Sequence, residues 1–288
     1  MYIKQWIPRI LFPVIVMSVL AGCGNNTSDH EAQVTGDAPA ETTATAPTTA
    51  TTMATASAHP VHWSYEGETS PEHWAELDQL FTTCSTGTAQ SPVNILHERV
   101  TENEGLSPVK VQYSPSQVAL INNGHTIQVN LKNQDNHILI EEKTYTLQQF
   151  HFHLPSEHEV DGRHAAMELH FVNKSDDGAL AVLSVLITEG SANSALTKLW
   201  SVLPAAESDQ ETAIEGTFNL NDLLPTDLHS FRYQGSLTTP PCTEGVQWIV
   251  LENPVQWSKE QISTFAAIFP HDNRPVQTLG TREIVADK

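Results

Sequence analysis

The sequence predicts a mainly β domain of the α+β class, carrying a few surface helices. Three observations lead there. The segments His125–Leu131 and Lys143–Leu154 alternate polar and apolar residues, the period of a half-buried strand. Ala179–Thr188 is a continuous apolar run, as expected of a strand covered on both faces. Segments with helical spacing are few and short.

The beginning of the chain is different material. Lys4 and Arg9 precede the apolar run Ile10–Leu20. That run is well short of the roughly 20 residues a spanning helix needs, and it fits the apolar core of an export signal. It ends in Leu20-Ala21-Gly22-Cys23, which resembles the lipobox of bacterial lipoproteins. On that resemblance residues 1–22 are a signal peptide and Cys23 is lipidated. The other reading is an ordinary secretory signal cleaved near Ala21–Gly22. Both export the chain. The lipobox reading predicts a periplasmic or cell-surface lipoprotein. Gly24, rather than Asp, favours the outer membrane in a cell that has one.

Residues 23–58 are dominated by Ala, Thr and Pro. They offer too little apolar surface to offset the entropy of ordering, which predicts a flexible tether. A chain of about 35 residues would reach roughly 30–35 Å. The formal charge of −20 argues against nucleic acid as a partner, because phosphate recognition needs a basic footprint.

Aromatic residues appear at His59–Gly67 and open a single predicted domain, 59–288. Its first predicted helix is Pro71–Phe81, with Pro at a first-turn position behind Ser70. Ser191–Leu203 places Leu196, Leu199, Trp200 and Leu203 at helical spacing, and Ser258–Phe269 is similar. If Cys23 carries lipid, Cys84 and Cys242 remain. In an oxidising compartment they predict one disulfide, and two buried thiols are the alternative. A bridge closing so long a loop is worth about 5 kcal/mol on the chain-entropy model.

Gln149–Leu154 holds two imidazoles in an apolar stretch. Successive strand side chains point to opposite faces. Gln149, His151 and His153 therefore share one face, and Phe150, Phe152 and Leu154 the other. Ala166–Val172 repeats the design, with Glu168, His170 and Val172 on one face and Met167, Leu169 and Phe171 opposite. If the two strands are neighbours, His170 joins the pair, and three neutral histidines with an open fourth position suit catalytic zinc. Gln149 and Glu168, each two residues before a histidine, stand where acceptors for the outer ring nitrogens belong. A metalloprotease helix is excluded. After His158–Glu159 the next histidine is His164, beyond the i, i+4 spacing that motif needs, and Gly162 intervenes.

These segments resemble the α-class carbonic anhydrases, the bacterial disulfide-bearing members in particular. The resemblance rests on His62–Gly67, Pro71–Trp74, Gln90–Ile95, Asn122–Val129, Gln149–Val172, Leu180–Leu183 and Ser236–Leu251, in the family's order. It implies the α-carbonic anhydrase fold, a large, mostly antiparallel central sheet with zinc at the base of a conical cleft. By position, His151, His153 and His170 match the zinc ligands, and Gln149 and Glu168 their acceptors. Thr238 matches the residue that accepts from zinc-bound hydroxide, and Glu157 the carboxylate that takes the proton of Thr238. His125 matches the proton shuttle; without the resemblance it reads as a surface histidine in a turn. Tyr65, Asn123 and Gln128 fall near the water path, with Gln128 where many members have Asn. Val172, Val182, Leu237 and Trp248 match the carbon dioxide wall, Thr239 a bicarbonate contact, and Cys84 and Cys242 the family's bridge.

The implied activity is reversible hydration of carbon dioxide to bicarbonate and a proton, with Zn2+ as cofactor. Sulfonamides and anions are the implied inhibitors, and the family pattern allows a homodimer. The alternatives are a surface module that binds glycans or holds zinc, and esterase work as a side activity of the same site. The intact set Thr238, Glu157 and His125 argues against zinc storage, which needs no proton shuttle.

Overall fold

The computed structural model describes residues 61–287. The predicted signal peptide, Cys23, the predicted tether and the first two residues of the predicted domain lie outside the described residues. Among the described residues no helix is long and apolar enough to cross a membrane.

The centre is a sheet of 12 strands. The two histidine-bearing segments form adjacent antiparallel strands, Lys143–His153 and Met167–Lys174, with His170 opposite His151 and Glu168 opposite His153. Ile127–Leu131 pairs with the outer side of the first, placing Gln128 opposite His151. Leu180–Glu189 pairs with the second, placing Ser184 opposite His170. Directly paired residues share a face, so Gln128, His151, His170 and Ser184 form one row across four strands. The next row runs Asn130, Gln149, Val172, Val182 and Trp248. These registers put the polar and apolar parts of the site on one surface.

The predicted antiparallel character holds for most of the sheet, with two exceptions. Leu180–Glu189 runs parallel to Glu244–Trp257, and Ile284–Ala286 parallel to Val100–Glu102. A parallel pair needs a long crossover. Residues 190–243 supply the first and return one strand, Ser230–Ser236, to the far side of Glu244–Trp257.

The opposite face of the sheet is the main core. Phe150, Phe152, Leu169 and Phe171 are fully buried there, as the alternation predicted. Phe152 meets the rings of Trp200, Trp257 and Phe265 edge-on, at centroid distances of 5.3, 5.8 and 6.0 Å. The apolar run forms the strand Leu180–Glu189 and is buried from Ala181 to Ile187. One departure refines the first histidine strand. The register shifts between Val172 and Asn173, whose partners are Gln149 and Leu147, leaving Gln148 unpaired as a bulge. Tyr145 and Leu147 thereby stay on the core side with Phe150 and Phe152, although simple alternation would separate them.

The helices are shorter than their patterns predict. Within Pro71–Phe81 only Trp74–Leu77 is α-helical, and Gln79–Phe81 is a separate 3-10 turn. Asp78 breaks the helix: its backbone is extended, and its side chain accepts from the Leu80 N–H at 2.8 Å. Such local bonding competes with helix. Ser191–Leu203 reduces to Leu196–Trp200, where the Asn193 side chain accepts from Ala195 N–H at 2.9 Å. The third segment forms Lys259–Ala266 behind a capping box of Ser258 and Gln261. Cys84 and Cys242 are joined, with S–S 2.06 Å and Cα–Cα 5.0 Å, which decides between bridge and free thiols.

Phe152→Ala is expected to lower the unfolding free energy by about 3–5 kcal/mol, measured by chemical denaturation. A loss below about 1 kcal/mol would contradict the packing described.

Candidate metal centre

The strand registers bring three imidazoles to one point. Ring centroids lie 5.0 Å apart for His151 and His153, 5.3 Å for His151 and His170, and 4.6 Å for His153 and His170. One nitrogen from each comes within 4.8 Å of the others, a group able to hold a metal ion.

The second nitrogen of each ring is engaged, and that fixes which one faces inward. His151 Nδ1 donates to Gln149 Oε1 at 2.9 Å, leaving Nε2. His153 Nδ1 donates to the Asp272 carbonyl at 2.6 Å, leaving Nε2. His170 Nε2 donates to Glu168 Oε1 at 2.8 Å, leaving Nδ1. Each tautomer follows from its acceptor. His153 Nε2 is buried and has no hydrogen-bond partner. A buried nitrogen left bare is costly unless something binds it, and a cation between the three rings would do so.

Burial lowers the pKa of all three. His153 is brought down to about 4, and burial with neighbouring histidines takes His151 well below the ordinary histidine range. For His170, burial outweighs the pull of Glu168. Neutral rings with free lone pairs are what a metal requires. Burial also pushes against ionisation of Glu168, but His158 and His170 overcome it and hold that carboxyl well below its usual range. Glu168 accepts from four groups: His158 N–H at 2.8 Å, His158 Nδ1 at 2.7 Å, His170 Nε2 and Ser184 Oγ at 2.5 Å. His158, Glu168 and His170 also stand close enough to hold a metal. There, however, the facing atoms already satisfy one another.

Glu157 is fully buried, with Oε2 at 3.6 Å from His153 Nε2 and 3.9 Å from His170 Nδ1. Its Oε1 accepts the Arg274 N–H at 2.8 Å. Burial raises its carboxyl to about 7, while His170, Thr238 and the Arg274 N–H pull the other way. Thr238 is buried beside it.

A cavity of about 110 Å³ opens over His151 and His153. Tyr65, Asn123, His125, Gln128, Gln149 and Thr239 all line it, so the structure brings the polar residues singled out by sequence to one place. His125 is stacked flat on Trp63, with centroids 3.6 Å apart and planes 5° from parallel. Burial, and the nearby His62, bring its pKa down to about 4. The apolar set gathers in one place. Val172, Val182, Leu237 and Trp248 belong to one cluster, and the Trp248 ring stands edge-on to His170 at 4.9 Å.

Sequence reasoning missed several supports. Asp272 reaches His153 through its carbonyl and Arg274 reaches Glu157 through its N–H, backbone groups that any residue offers. His158 figured only in a rejected metalloprotease pattern. It bridges Glu168 to Tyr233, whose hydroxyl lies 2.7 Å from His158 Nε2. Trp63 was within reach, since it lies beside Tyr65 in an aromatic segment.

The sequence profile of a family described as eukaryotic-type carbonic anhydrase matches residues 69–288. The chain is 45% identical to a carbonic anhydrase of Pectobacterium carotovorum, over 81% of this chain and 93% of that protein. It is 47% identical to one of Klebsiella pneumoniae, over 78% and 90%. The structure of an α-carbonic anhydrase from Thermovibrio ammonificans, in complex with sulfanilamide, superposes with a TM-score of 0.76 at 39% identity. That likeness covers 79% of this chain and 100% of the other. With the fold and the histidine cluster in agreement, the chain belongs to the eukaryotic-type carbonic anhydrase family.

Proposed function

We propose that this enzyme interconverts carbon dioxide and bicarbonate with Zn2+ held by His151 Nε2, His153 Nε2 and His170 Nδ1. The observation that carries the proposal is the inward aim of three neutral ring nitrogens, one of them buried without a partner. Three nitrogen donors and an open position are the ligand set of catalytic zinc. Zinc in such a site would make bound water acidic enough to ionise near neutral pH, as has long been known of carbonic anhydrases.

The protein's own groups do the rest. Gln149, Glu168 and the Asp272 carbonyl keep the three rings oriented. Glu157, fixed by the Arg274 N–H, accepts the hydrogen bond that the Thr238 hydroxyl donates, so Thr238 can only accept from the attacking oxygen. That requirement points the oxygen's free lone pair toward the apolar wall. Val172, Val182, Leu237 and Trp248 hold uncharged carbon dioxide there, and Thr239 meets the bicarbonate formed. His125 carries the released proton outward past Tyr65, Asn123 and Gln128. While stacked on Trp63 it is a poor acceptor, because a ring titrating about 4 lies roughly 3 units below a donor near neutrality.

Stopped-flow assay of the zinc-loaded enzyme is expected to show carbon dioxide hydration that sulfanilamide blocks. His151→Ala should lose bound zinc and hydration together. A variant that keeps one equivalent of zinc would refute the ligand assignment. His125→Ala should lower turnover in weak buffer by about a hundredfold or more, and added imidazole should restore it. NMR titration should find the native ring near 4, and Trp63→Ala should move it toward 6.5. Turnover unchanged in weak buffer would remove His125 from the relay.

We also propose that the domain is exported and held at a membrane through lipidated Cys23, on the Leu20–Cys23 pattern. Metabolic labelling with palmitate should mark the native chain and not Cys23→Ser. Equal labelling of both would overturn the anchor.

A further inference from the structure

We propose that Cys84 is a thiol-exchange site, the sulfur at which the Cys84–Cys242 bridge opens to a low-molecular-weight thiol. The two half-cystines are not equivalent. Cys242 has 0% exposure and Cys84 has 8%. The backbone of Cys242 is tied on both sides: its N–H donates to the Thr239 carbonyl at 2.8 Å, and its carbonyl accepts from Gln90 Nε2 at 3.0 Å.

Cys84 also lines a cavity of about 370 Å³, with Ser85, Thr88, Gln277 and Thr278 among its walls. Cys242 does not line it. The wall has no charged side chain, although the chain as a whole carries −20. This matters because the attacking species is an anion. Glu244 is not part of that wall; the Ala89 N–H at 2.6 Å and Gln90 Nε2 at 3.1 Å hold its carboxylate in the charged form, a nearby charge that opposes the attack. The one cation bonded to this segment is favourable, since Arg274 Nη2 donates to the Cys84 carbonyl at 2.9 Å.

Attack would fall on the sulfur of the residue that lines the cavity, Cys84, with the other sulfur leaving. The incoming thiolate bonds to Cys84 Sγ as the Cys84–Cys242 bond breaks. The electron pair leaves on Cys242 Sγ, which recovers the proton that the attacking thiol gave up. One disulfide is exchanged for another, so no further oxidant or reductant enters the step.

The test is to expose the folded, full-length chain to glutathione and quench with acid at low conversion. Remaining thiols are then alkylated and the peptides mapped by mass. Glutathione should be found on Cys84 in roughly tenfold excess over Cys242, the preference expected of a reaction controlled by access. Thr278→Trp, which fills the cavity from an exposed position, should slow exchange at an unchanged unfolding midpoint. Glutathione spread equally over both cysteines would mean that exchange runs through unfolding, and the proposal would be wrong. An exchange rate untouched by Thr278→Trp would overturn it as well.

Discussion

The pairing that sets His170 directly opposite His151 is the constraint on which the rest of this structure depends. A slip of one residue would turn His170 into the core and Phe171 toward the cavity, since strand side chains alternate. The register is held from both faces. On one side Phe150, Phe152, Leu169 and Phe171 belong to the main core. On the other, Glu168 ties the second histidine strand to His158 and to Ser184 of the next strand. A buried carboxylate is expensive unless its oxygens are fully engaged. Here four donors engage it, and the same carboxylate selects the His170 tautomer.

A second support is a short loop. The Asp272 carbonyl orients His153, and two residues later the Arg274 N–H holds Glu157. The Arg274 guanidinium is buried among oxygens of Gln90, Ser91 and Cys84. One loop thus joins one histidine of the three-ring cluster, the carboxylate beside Thr238 and the segment carrying the disulfide. The geometry of the site and the packing of the segment around Cys84 are therefore not independent.

Much of this was legible in the sequence because period-2 alternation is a strong signal. It separated the Phe face from the histidine face and located Gln149 and Glu168 before any pairing was known. It did not show that the two strands meet; the family resemblance supplied that expectation. The phase change at Gln148 stayed hidden, since a bulge costs one residue and leaves no compositional mark. The Asp272 carbonyl was unreadable in principle, because any residue offers the same group. The helices came out too long, since Asp78 and Asn193 bond locally to the backbone in competition with a helical pattern.

X-ray absorption at the zinc edge tests the central claim most directly, because it reports the ligands without reference to activity. The account predicts four light-atom neighbours at about 2.0–2.1 Å, three with the multiple scattering of imidazole, and loss of one imidazole's share in a His170→Asp variant. A shell of fewer than three imidazoles in the native protein, or one unchanged by that substitution, would contradict it.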